Sequence, residues 1–558
     1  MKRRDLLALG AGTLSLSLPG HAAASPLVSG RIFDVRNYAA RGDGKTKDTA
    51  AIQKAIDAAT SAGGGTVYLG PGDYLSGGIV LKSNVTFYLN AGATLLGSKD
   101  LADYPPRSGP NPHGDANVHH LIFARDAENV ALCGLGRIDG QGRAYWVPSD
   151  HPETPENYWR EAVSNTFKPL PGDARPSPML EFVGCKNLRI EDVTLANSAG
   201  WTMRPVDCES VFIRGLRVRN PVYGPNTDGM DVTCCRNVFI ANCDISTGDD
   251  ALCLKSESPY GGPVAPTKNI VITNCVLTGC CNGFKMGTAT KGAFENITFA
   301  NSVIYNEDVP LNHRIIAGVA IEMVDGGSVD GIVISNIRMQ NTRTPIFVRL
   351  GNRSGNPPSG PKPGALRGVM IDNIDATGAI LTSSVTGLPG HDVEDVTISN
   401  IRIDTVEGGE LEWVTREVPE RPAAYPEANM FGRLPSYGFY CRHVRGVRFR
   451  DVRIETREPD ARPLLLCEDV KDLNVAGLAG SAPDSQEPLV VLRNVRRAFI
   501  QGCSAPQHLS TFLSVEGKES SDISLIGSNL RGSSAAARTV DGAPQSSISQ
   551  AGNITSAG

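Results

Sequence analysis

Three aspartates near the middle of the chain have the residue type and the spacing that acid–base catalysis requires. Asp228 lies in an Asn-Thr-Asp-Gly segment, and Asp249 and Asp250 follow a glycine further along. If residues 229–232 and 251–254 form neighbouring parallel strands, Asp228 lies beneath Asp250, with Asp249 one residue before it. Carboxylates this close raise the pKa of one member and leave a partner ionised. The sequence therefore predicts a site where one carboxyl gives a proton and another accepts one.

This division of roles is the chemistry of glycoside hydrolysis. A protonated acid serves the leaving oxygen, and an ionised carboxylate activates water. Each segment also has a structural interpretation, because Asn-Thr-Asp-Gly and Gly-Asp-Asp both suit turns in which an Asp side chain bonds to the backbone. Either segment alone is more often a turn than a site. Both together, one repeat apart, favour a catalytic site over two unrelated turns.

A repeated phrase supplies the elements that would position these aspartates. A polar residue followed by apolar-x-apolar ends at Ile190, Ile213 and Ile240, with spacings of 23 and 27 residues, and it returns in later copies. This alternation indicates short strands with one buried face, and such a period is typical of a solenoid. Leucine does not dominate the phrase and no helix separates the strands, so a leucine-rich repeat is disfavoured. We predict an all-β fold, a single-stranded right-handed parallel β-helix.

The ends of the solenoid and its interruptions follow from composition. Helical apolar spacing from Asp48 to Thr60 predicts an N-terminal helix that caps the open end of the coil. The Pro-rich stretch from Gly355 to Pro363 and the segment from Leu411 to Pro435 interrupt the repeat and predict excursions. We expect one catalytic β-helix domain over residues 25–530. Residues 531–558 are rich in Ser, Ala and Gly and predict a loosely ordered tail.

The first 24 residues predict a targeting signal. Arg3 and Arg4 precede an apolar run over residues 8–18, and residues 22–24 supply a small-residue cleavage site. The paired arginines indicate the twin-arginine type of signal, which exports folded proteins. A membrane anchor would need about 20 apolar residues, more than this run offers. We therefore expect an exported protein, periplasmic or extracellular, without a membrane span in its mature form.

Composition also bears on partners and cofactors. The 558 residues carry a formal net charge of −5, so there is no basic field to hold nucleic acid. Among the 13 cysteines, Cys185, Cys208 and Cys235 recur at one point of the repeat, which favours stacked buried thiols over disulfides. The sequence shows no metal-ligand spacing, and we expect a monomer.

The repeat, the N-terminal helix and the two aspartate motifs resemble glycoside hydrolase family 28, the polygalacturonase and rhamnogalacturonan hydrolase family. The resemblance covers the chain from Phe33 to Asn400 and implies a pectin-lyase-like solenoid. It implies that Asp249 is the general acid, and that Asp250 with Asp228 holds water for an inverting hydrolysis. It also implies an acidic plant cell-wall polysaccharide or oligosaccharide of the pectin type as partner, and neither a metal nor an organic cofactor.

Two further motifs of the family are altered in this chain. Where the family has Gly-His-Gly, Asn282 stands at the histidine position. Where the family has Arg-Ile-Lys, which grips a galacturonate carboxylate, Glu322 stands at the arginine position and Val324 at the lysine position. Lys285 and Glu322 are then expected to be neighbours beside the aspartates and to contact the substrate. The alternative is a charge pair on a solvated face.

These departures weaken the case for plain homogalacturonan as the substrate. Lys285 could still meet one uronate carboxylate, whereas Glu322 suits the hydroxyls of a neutral sugar. This favours a modified or branched pectin such as rhamnogalacturonan. Arg204 aligns below Asp231, where it either extends the groove or neutralises that aspartate. The remaining candidates for substrate binding are Asn226, Asn282 and Asp231.

Two other functions stay open on the sequence alone. A lyase on the same fold needs a base near calcium or a basic residue, and the aspartate cluster offers the hard oxygen ligands that calcium prefers. A non-catalytic glycan-binding solenoid would account for the loss of the family's histidine and basic pair. It gives no reason, however, to keep three repelling carboxylates together.

Overall fold

The chain folds as a parallel β-helix. The computed structural model describes residues 30–108, 117–149, 163–353 and 362–555. The predicted export signal lies outside the described residues, as does most of the predicted Pro-rich excursion near residue 355. In the described part, 39 strands form a single sheet whose successive coils pair in parallel register. The predicted fold class is confirmed.

Three ladders of stacked strands, named A, B and C here, run along the coil. Ladder A contains β1 Ile79–Val80, β2 Ile122–Arg125, β3 Leu180–Val183, β4 Met203–Val206, β5 Met230–Thr233, β6 Leu252–Ser256, β7 Asn282–Thr290, β8 Ala317–Met323, β9 Thr344–Leu350, β10 Ser383–Thr386, β11 Phe439–Thr456, β12 Leu465–Ala476, β13 Val490–Arg493, β14 Leu509–Glu516 and β15 Ser533–Val540. Ladder B contains Ile32–Asp34, Gly65–Leu69, Val85–Leu89, Glu128–Cys133, Lys186–Glu191, Glu209–Arg214, Arg236–Ala241, Thr267–Thr273, Ala293–Tyr305, Ser328–Gln340, Ala365–Ala379, Val393–Thr405, Arg496–Gln501, Ser521–Ile526 and Ile548–Ala551. Ladder C contains Asp43–Lys47, Gly72–Ser76, Ala93–Gly97, Arg137–Asp139, Thr194–Ala196, Arg217–Arg219, Asp244–Ser246, Val276–Thr278 and Ala479–Gly480, and the longer strands of the C-terminal half bend from one ladder into the next.

Smaller elements decorate the coil. Two antiparallel hairpins pair Arg107–Ser108 with Asn117–Val118 and Trp146–Pro148 with Phe167–Pro169. Short 3-10 helices span Val35–Tyr38, Leu101–Asp103, Gly142–Tyr145, Val163–Thr166, Pro171–Asp173, Leu311–His313, Leu411–Trp413 and Gln545–Ser547.

The polar residue of the repeated phrase forms a bend near the start of the ladder B strands. Asn187, Asn237 and Asn269 have φ of 53°, 57° and 56°, a left-handed conformation that asparagine tolerates better than most side chains. Their amides also bond from coil to coil, since Asn269 Nδ2 donates to Asn237 Oδ1 at 3.0 Å. The recurrence of asparagine in the sequence thus has both a conformational and a hydrogen-bonding cause.

The coil interior is filled by the apolar positions of the phrase and by thiols. All 13 cysteines are free, and all except Cys281 are buried. Cys185, Cys208 and Cys235 lie on successive coils, and the Cys208 amide donates to Cys235 Sγ at 3.4 Å. The expectation of stacked buried thiols is confirmed.

At the N-terminal end of the solenoid the structure agrees with the sequence prediction, and at the C-terminal end it does not. Helix α1, Thr49–Ser61, is present as predicted and buries Ile52 and Ile56 against the first strands, while its role as a cap stays a prediction. The predicted loosely ordered tail is wrong for residues 533–551, because β15 and the strand Ile548–Ala551 continue the coil by pairing with the preceding strands. A composition rich in small side chains does not prevent a short strand from forming. Among the described helices, none has the length and apolar composition to cross a membrane.

Candidate active site

Ladder A brings the three aspartates together. Strands β5 and β6 pair with Met230 opposite Leu252, which places Asp228 and Asp250 at equivalent positions just before the two strands. Each of Asp228, Asp249 and Asp250 offers a carboxylate oxygen within 4.8 Å of the others. The structure therefore shows the convergence that the sequence register predicts.

The threonine and glycines of the two motifs build a close contact between neighbouring coils. The Thr227 hydroxyl donates to the Gly224 carbonyl at 2.9 Å and accepts from the Gly248 amide at 3.0 Å. A Cβ on Gly248 would lie 2.4 Å from the Gly224 oxygen, and one on Gly229 would lie 2.3 Å from the Ala251 oxygen. Because no side chain fits at either glycine without moving the backbone, these residues fix where the carboxylates lie.

Asp249 and Asp250 are adjacent in sequence but differ in their surroundings. Burial and the charge of Asp250 raise the pKa of Asp249 to about 7. The Asp250 carboxylate accepts from the Asn282 backbone amide at 3.2 Å and its side-chain amide at 2.8 Å, and lies 3.2 Å from Lys285 Nζ. Donors of this kind stabilise a charged carboxylate. The pair can therefore hold a proton on Asp249 beside a negative charge on Asp250.

Asp228 completes the group from the coil below. It is buried, and its Oδ1 has no hydrogen-bond partner among the described residues. Burial, with the charges of Asp231 and Asp249, raises the pKa of Asp228 well above its usual range. Buried carboxyl oxygens are normally hydrogen-bonded. Beside Asp250, a water molecule can be the hydrogen-bond partner of Asp228.

Lys285 is the centre of a buried charge cluster. Its Nζ lies 3.2 Å from Asp250 Oδ2, 3.4 Å from Glu427 Oε1 and 3.6 Å from Glu322 Oε2. Lys285 and Glu322 are each 1% exposed, so the alternative of a charge pair on a solvated face is wrong. Their side chains are close as expected, but the strand register pairs Lys285 with Ala320 and not with Glu322. The register of β7 and β8 places Glu322 opposite Gly287, and a Cβ there would lie 2.7 Å from the Glu322 carbonyl. Glycine at this position thus makes room for the glutamate.

A cavity of about 540 Å³ opens beside the aspartates. Its described lining consists of Asn165, Trp201, Asn226, Asp228, Asp249, Asp250, Lys255, Glu257, Cys281, Thr288, Ala289, Ile316, Arg353, Tyr425, Glu427 and Asn429. Asn226 belongs to this lining, as expected of a residue that binds substrate. The other predicted binding residues, Asn282, Lys285, Glu322, Asp231 and Arg204, lie outside it. Their position favours support of the lining residues over direct contact with a sugar.

Arg204 and Asp231 illustrate this correction. Arg204 is 1% exposed, and its Nε donates to Glu181 Oε1 at 2.6 Å, so its ion pair is with Glu181 and not with Asp231. The partner of Asp231 is Lys255, whose Nζ lies 3.3 Å from Asp231 Oδ1. Burial raises the pKa of Asp231 to about 6, although Lys255 opposes the rise. The sequence predicts the register of β4 and β5, but not the role of Glu181 on β3, which lies opposite Arg204.

Two basic residues of the lining were missed in the sequence. Lys255 lies two positions after Cys253, on the same outward side of β6, and its ammonium lies 4.7 Å from the Trp201 ring centre. Strand alternation could have found it. Arg353 follows β9 and bonds Asp325 at 3.0 and 2.7 Å, and no short-range pattern ties it to the aspartates.

The predicted excursion between residues 411 and 435 is confirmed, and it reaches the cavity. It connects Val393–Thr405 to β11 and contributes Tyr425, Glu427 and Asn429 to the lining. Glu427 Oε2 accepts from Asn282 Nδ2 at 3.4 Å. Burial raises the pKa of Glu427, and Lys285 opposes that rise. Glu427 was not predicted as an acidic neighbour of Asp249 and Asp250, because it lies far from them in the sequence.

Comparison with known proteins places this site in a family. The model of the glycosyl hydrolases family 28 matches residues 79–424, and that of the rhamnogalacturonase A/epimerase, pectate lyase-like family matches residues 32–103. A probable polygalacturonase of Vitis vinifera is 27% identical over 378 residues, which are 65% of this chain and 72% of that protein. An exo-poly-alpha-D-galacturonosidase of Dickeya chrysanthemi is 25% identical over 417 residues, which are 67% of this chain and 68% of that protein.

A solved structure supports the same fold. The crystal structure of a hyperthermoactive exopolygalacturonase from Thermotoga maritima matches with a TM-score of 0.55 and 24% identity, covering 68% of this chain and 88% of that one. The family model spans more than half of the present chain and includes the three aspartates. The protein is therefore a glycoside hydrolase that belongs to the glycosyl hydrolases family 28.

Proposed function

We propose that the protein hydrolyses glycosidic bonds of a pectin-type polysaccharide or oligosaccharide. The observation that carries the proposal is the contrast between Asp249, whose pKa is raised to about 7, and Asp250, which is stabilised in its charged form by Asn282 and Lys285. The family relatives named as polygalacturonases support the same substrate class.

In this mechanism Asp249 gives its proton to the leaving glycosidic oxygen while water attacks the anomeric carbon. Asp228 and Asp250 hold that water from neighbouring coils, and Asp250 takes its proton as the new bond forms. Lys285 and Asn282 keep the Asp250 charge in place before the step. A proton on Asp249 and a charge on Asp250 within one small cavity meet the requirement for an acid and a base at the same pH.

Carboxylate separation alone does not assign the stereochemical outcome. The three aspartates offer oxygens within 4.8 Å of one another, closer than the roughly 6.5–9.5 Å usual between the acid and base of inverting glycosidases. We assign inversion because two carboxylates, Asp228 and Asp250, stand side by side at equivalent positions of adjacent coils. Such a pair suits a shared water better than attack by one carboxylate on the sugar.

Product analysis tests the proposed reaction. The purified protein is incubated with homogalacturonan, rhamnogalacturonan backbone and their oligosaccharides, with and without EDTA. The products are separated by chromatography and identified by mass spectrometry. We expect saturated products in both buffers, since Asp250, the acid a cation would need, is already bonded to Lys285 and Asn282. Unsaturated products that require calcium would replace hydrolysis with elimination.

The pH dependence follows from the acid role of Asp249. Only the protonated form can give a proton, and burial and Asp250 raise its pKa to about 7. We therefore expect kcat/KM to fall above pH 7, by about tenfold per pH unit. Rates measured between pH 5 and 9 check this, and an alkaline limb that begins below pH 5 would contradict the assignment.

The proposal includes the place of action. The twin-arginine segment of the sequence supports export to the periplasm or beyond, and we propose that the protein acts there as a monomer on fragments of the plant cell wall. Cell fractionation with intact and Arg3→Lys/Arg4→Lys signals measures this, and unchanged export of the doubly substituted protein would argue against the twin-arginine route.

A further inference from the structure

The charges of the active-site cavity are unusual for the binding of a polyanion. Five carboxyl residues, Asp228, Asp249, Asp250, Glu257 and Glu427, and two cationic residues, Lys255 and Arg353, belong to the described lining. Both cations are already paired, Lys255 with Asp231 at 3.3 Å and Arg353 with Asp325 at 2.7 Å. Even with both Asp228 and Asp249 protonated, the three remaining carboxylates, Asp250, Glu257 and Glu427, outnumber the two cations of the lining.

Glu427 places part of that charge beside the catalytic pair. Its two carboxylate oxygens face Asn282 Nδ2 and Lys285 Nζ, each at 3.4 Å, and these two donors also contact Asp250. Glu427 and Asp250 thus share the same two donors. The Glu427 side chain keeps 20% of its surface exposed, so it is open to the cavity as well as paired.

The segment that carries Glu427 is held firmly against ladder A. Val418, Phe431 and Leu434 are buried in one cluster with Phe347 of β9. Guanidinium groups of the ladder bind its backbone as well, since Arg349 Nη2 donates to Glu420 O at 2.7 Å and Arg442 Nη1 to Val418 O at 2.6 Å. The carboxylate is therefore preorganised, and it cannot swing away cheaply when a charged ligand approaches.

We propose that Glu427 is a specificity residue that makes the subsite it faces selective for an uncharged sugar. A sugar hydroxyl can donate to Glu427, whereas a uronate carboxylate at the same place would face two carboxylates, Glu427 and Asp250. Like charges brought together in a partly buried site repel and weaken binding. The uncharged unit is either a neutral sugar or a methyl-esterified uronate. This inference rests on the proposed hydrolysis and names which unit lies beside the catalytic pair.

The experiment compares kcat/KM for matched oligosaccharides. The substrates are free oligogalacturonides, methyl-esterified oligogalacturonides and rhamnogalacturonan oligosaccharides of the same length. Wild type is expected to prefer one of the uncharged-unit substrates over the free oligogalacturonide. In Glu427→Gln this preference is expected to fall by about tenfold. The ratio between substrates cancels any common effect of the substitution on Asp250 or Lys285.

Glu412→Gln is the matched control, because it removes the same charge from an exposed position of the same excursion. It is expected to leave the substrate ratio unchanged. If Glu427→Gln does not fold, the test is the wild-type ratio of kcat/KM between the substrates, measured at low and high salt. Salt screens charges and should reduce a preference that is electrostatic. A wild-type preference for free oligogalacturonide, or an unchanged ratio in Glu427→Gln, would overturn the inference while leaving hydrolysis intact. No hydrolysis of any substrate would overturn the proposed function itself.

Discussion

Asp249→Asn is expected to remove most of the hydrolytic activity without weakening the fold. Loss of a general acid lowers kcat by about 10²–10⁴-fold. The folded protein binds the Asp249 proton up to about pH 7, whereas the unfolded chain releases it near 3.8. Stability therefore falls as pH rises across this interval, and asparagine removes that penalty. Activity assays and thermal denaturation at pH 8 should show an inactive protein whose Tm is equal to or above that of wild type.

Asp244→Asn provides the comparison for this variant. Asp244 lies on ladder C, with 47% of its side chain exposed, and pairs with Arg219, so its replacement should leave kcat unchanged. An Asp249→Asn protein that keeps wild-type activity would remove Asp249 from the acid role. A variant that loses activity only because its Tm falls would show that Asp249 supports the fold and does not act in the reaction.

Lys285→Met is expected to cost both stability and activity. Methionine is similar to lysine in length but has no charge. It therefore leaves Asp250, Glu322 and Glu427 close together without their shared cation. Removing one partner of a buried charge network costs about 3–5 kcal/mol. Because Asp250 loses the cation that lies 3.2 Å from its carboxylate, the group that accepts the water proton is no longer held in place, and kcat should fall.

Lys268→Met tests whether this effect comes from the buried position. Lys268 pairs with Glu295 at 2.8 Å, but 41% of its side chain is exposed, and its replacement should change stability by no more than about 0.5 kcal/mol. Denaturant unfolding and kcat measurements of both variants give the comparison. If Lys285→Met unfolds like the control and keeps the wild-type kcat, Lys285 does not support Asp250.

The sequence is informative where neighbouring coils carry the same pattern. Recurring apolar positions set the coil, and the equivalence of residues 229–232 and 251–254 brings Asp228 to Asp250 because parallel register is regular. The same reasoning predicts that Lys285 and Glu322 are close, and their side chains are, although the register pairs Lys285 with Ala320. It placed them in contact with the sugar, however, whereas they lie behind the lining. Strand register predicts which residue lies opposite another on the next coil. It does not predict whether other side chains separate that residue from the cavity.

Residues supplied by long excursions could not be predicted in this way. Glu427 lies 142 positions after Lys285 along the chain, and nothing in its local sequence resembles the repeat. Its place depends on the packing of residues such as Phe431 against ladder A, which is a tertiary property. The ion pair of Arg204 is different, because its partner Glu181 lies directly opposite it on the preceding coil and is accessible to the same register argument.

The anomeric configuration of the first product is the most direct test of the central claim. Proton NMR of wild-type enzyme acting on the best substrate, recorded before mutarotation, identifies the anomer that forms. Our account predicts inversion, because water held by Asp228 and Asp250 attacks from the face opposite the bond that Asp249 protonates. A first product with retained configuration would contradict it, since one of these carboxylates would then have attacked the sugar itself.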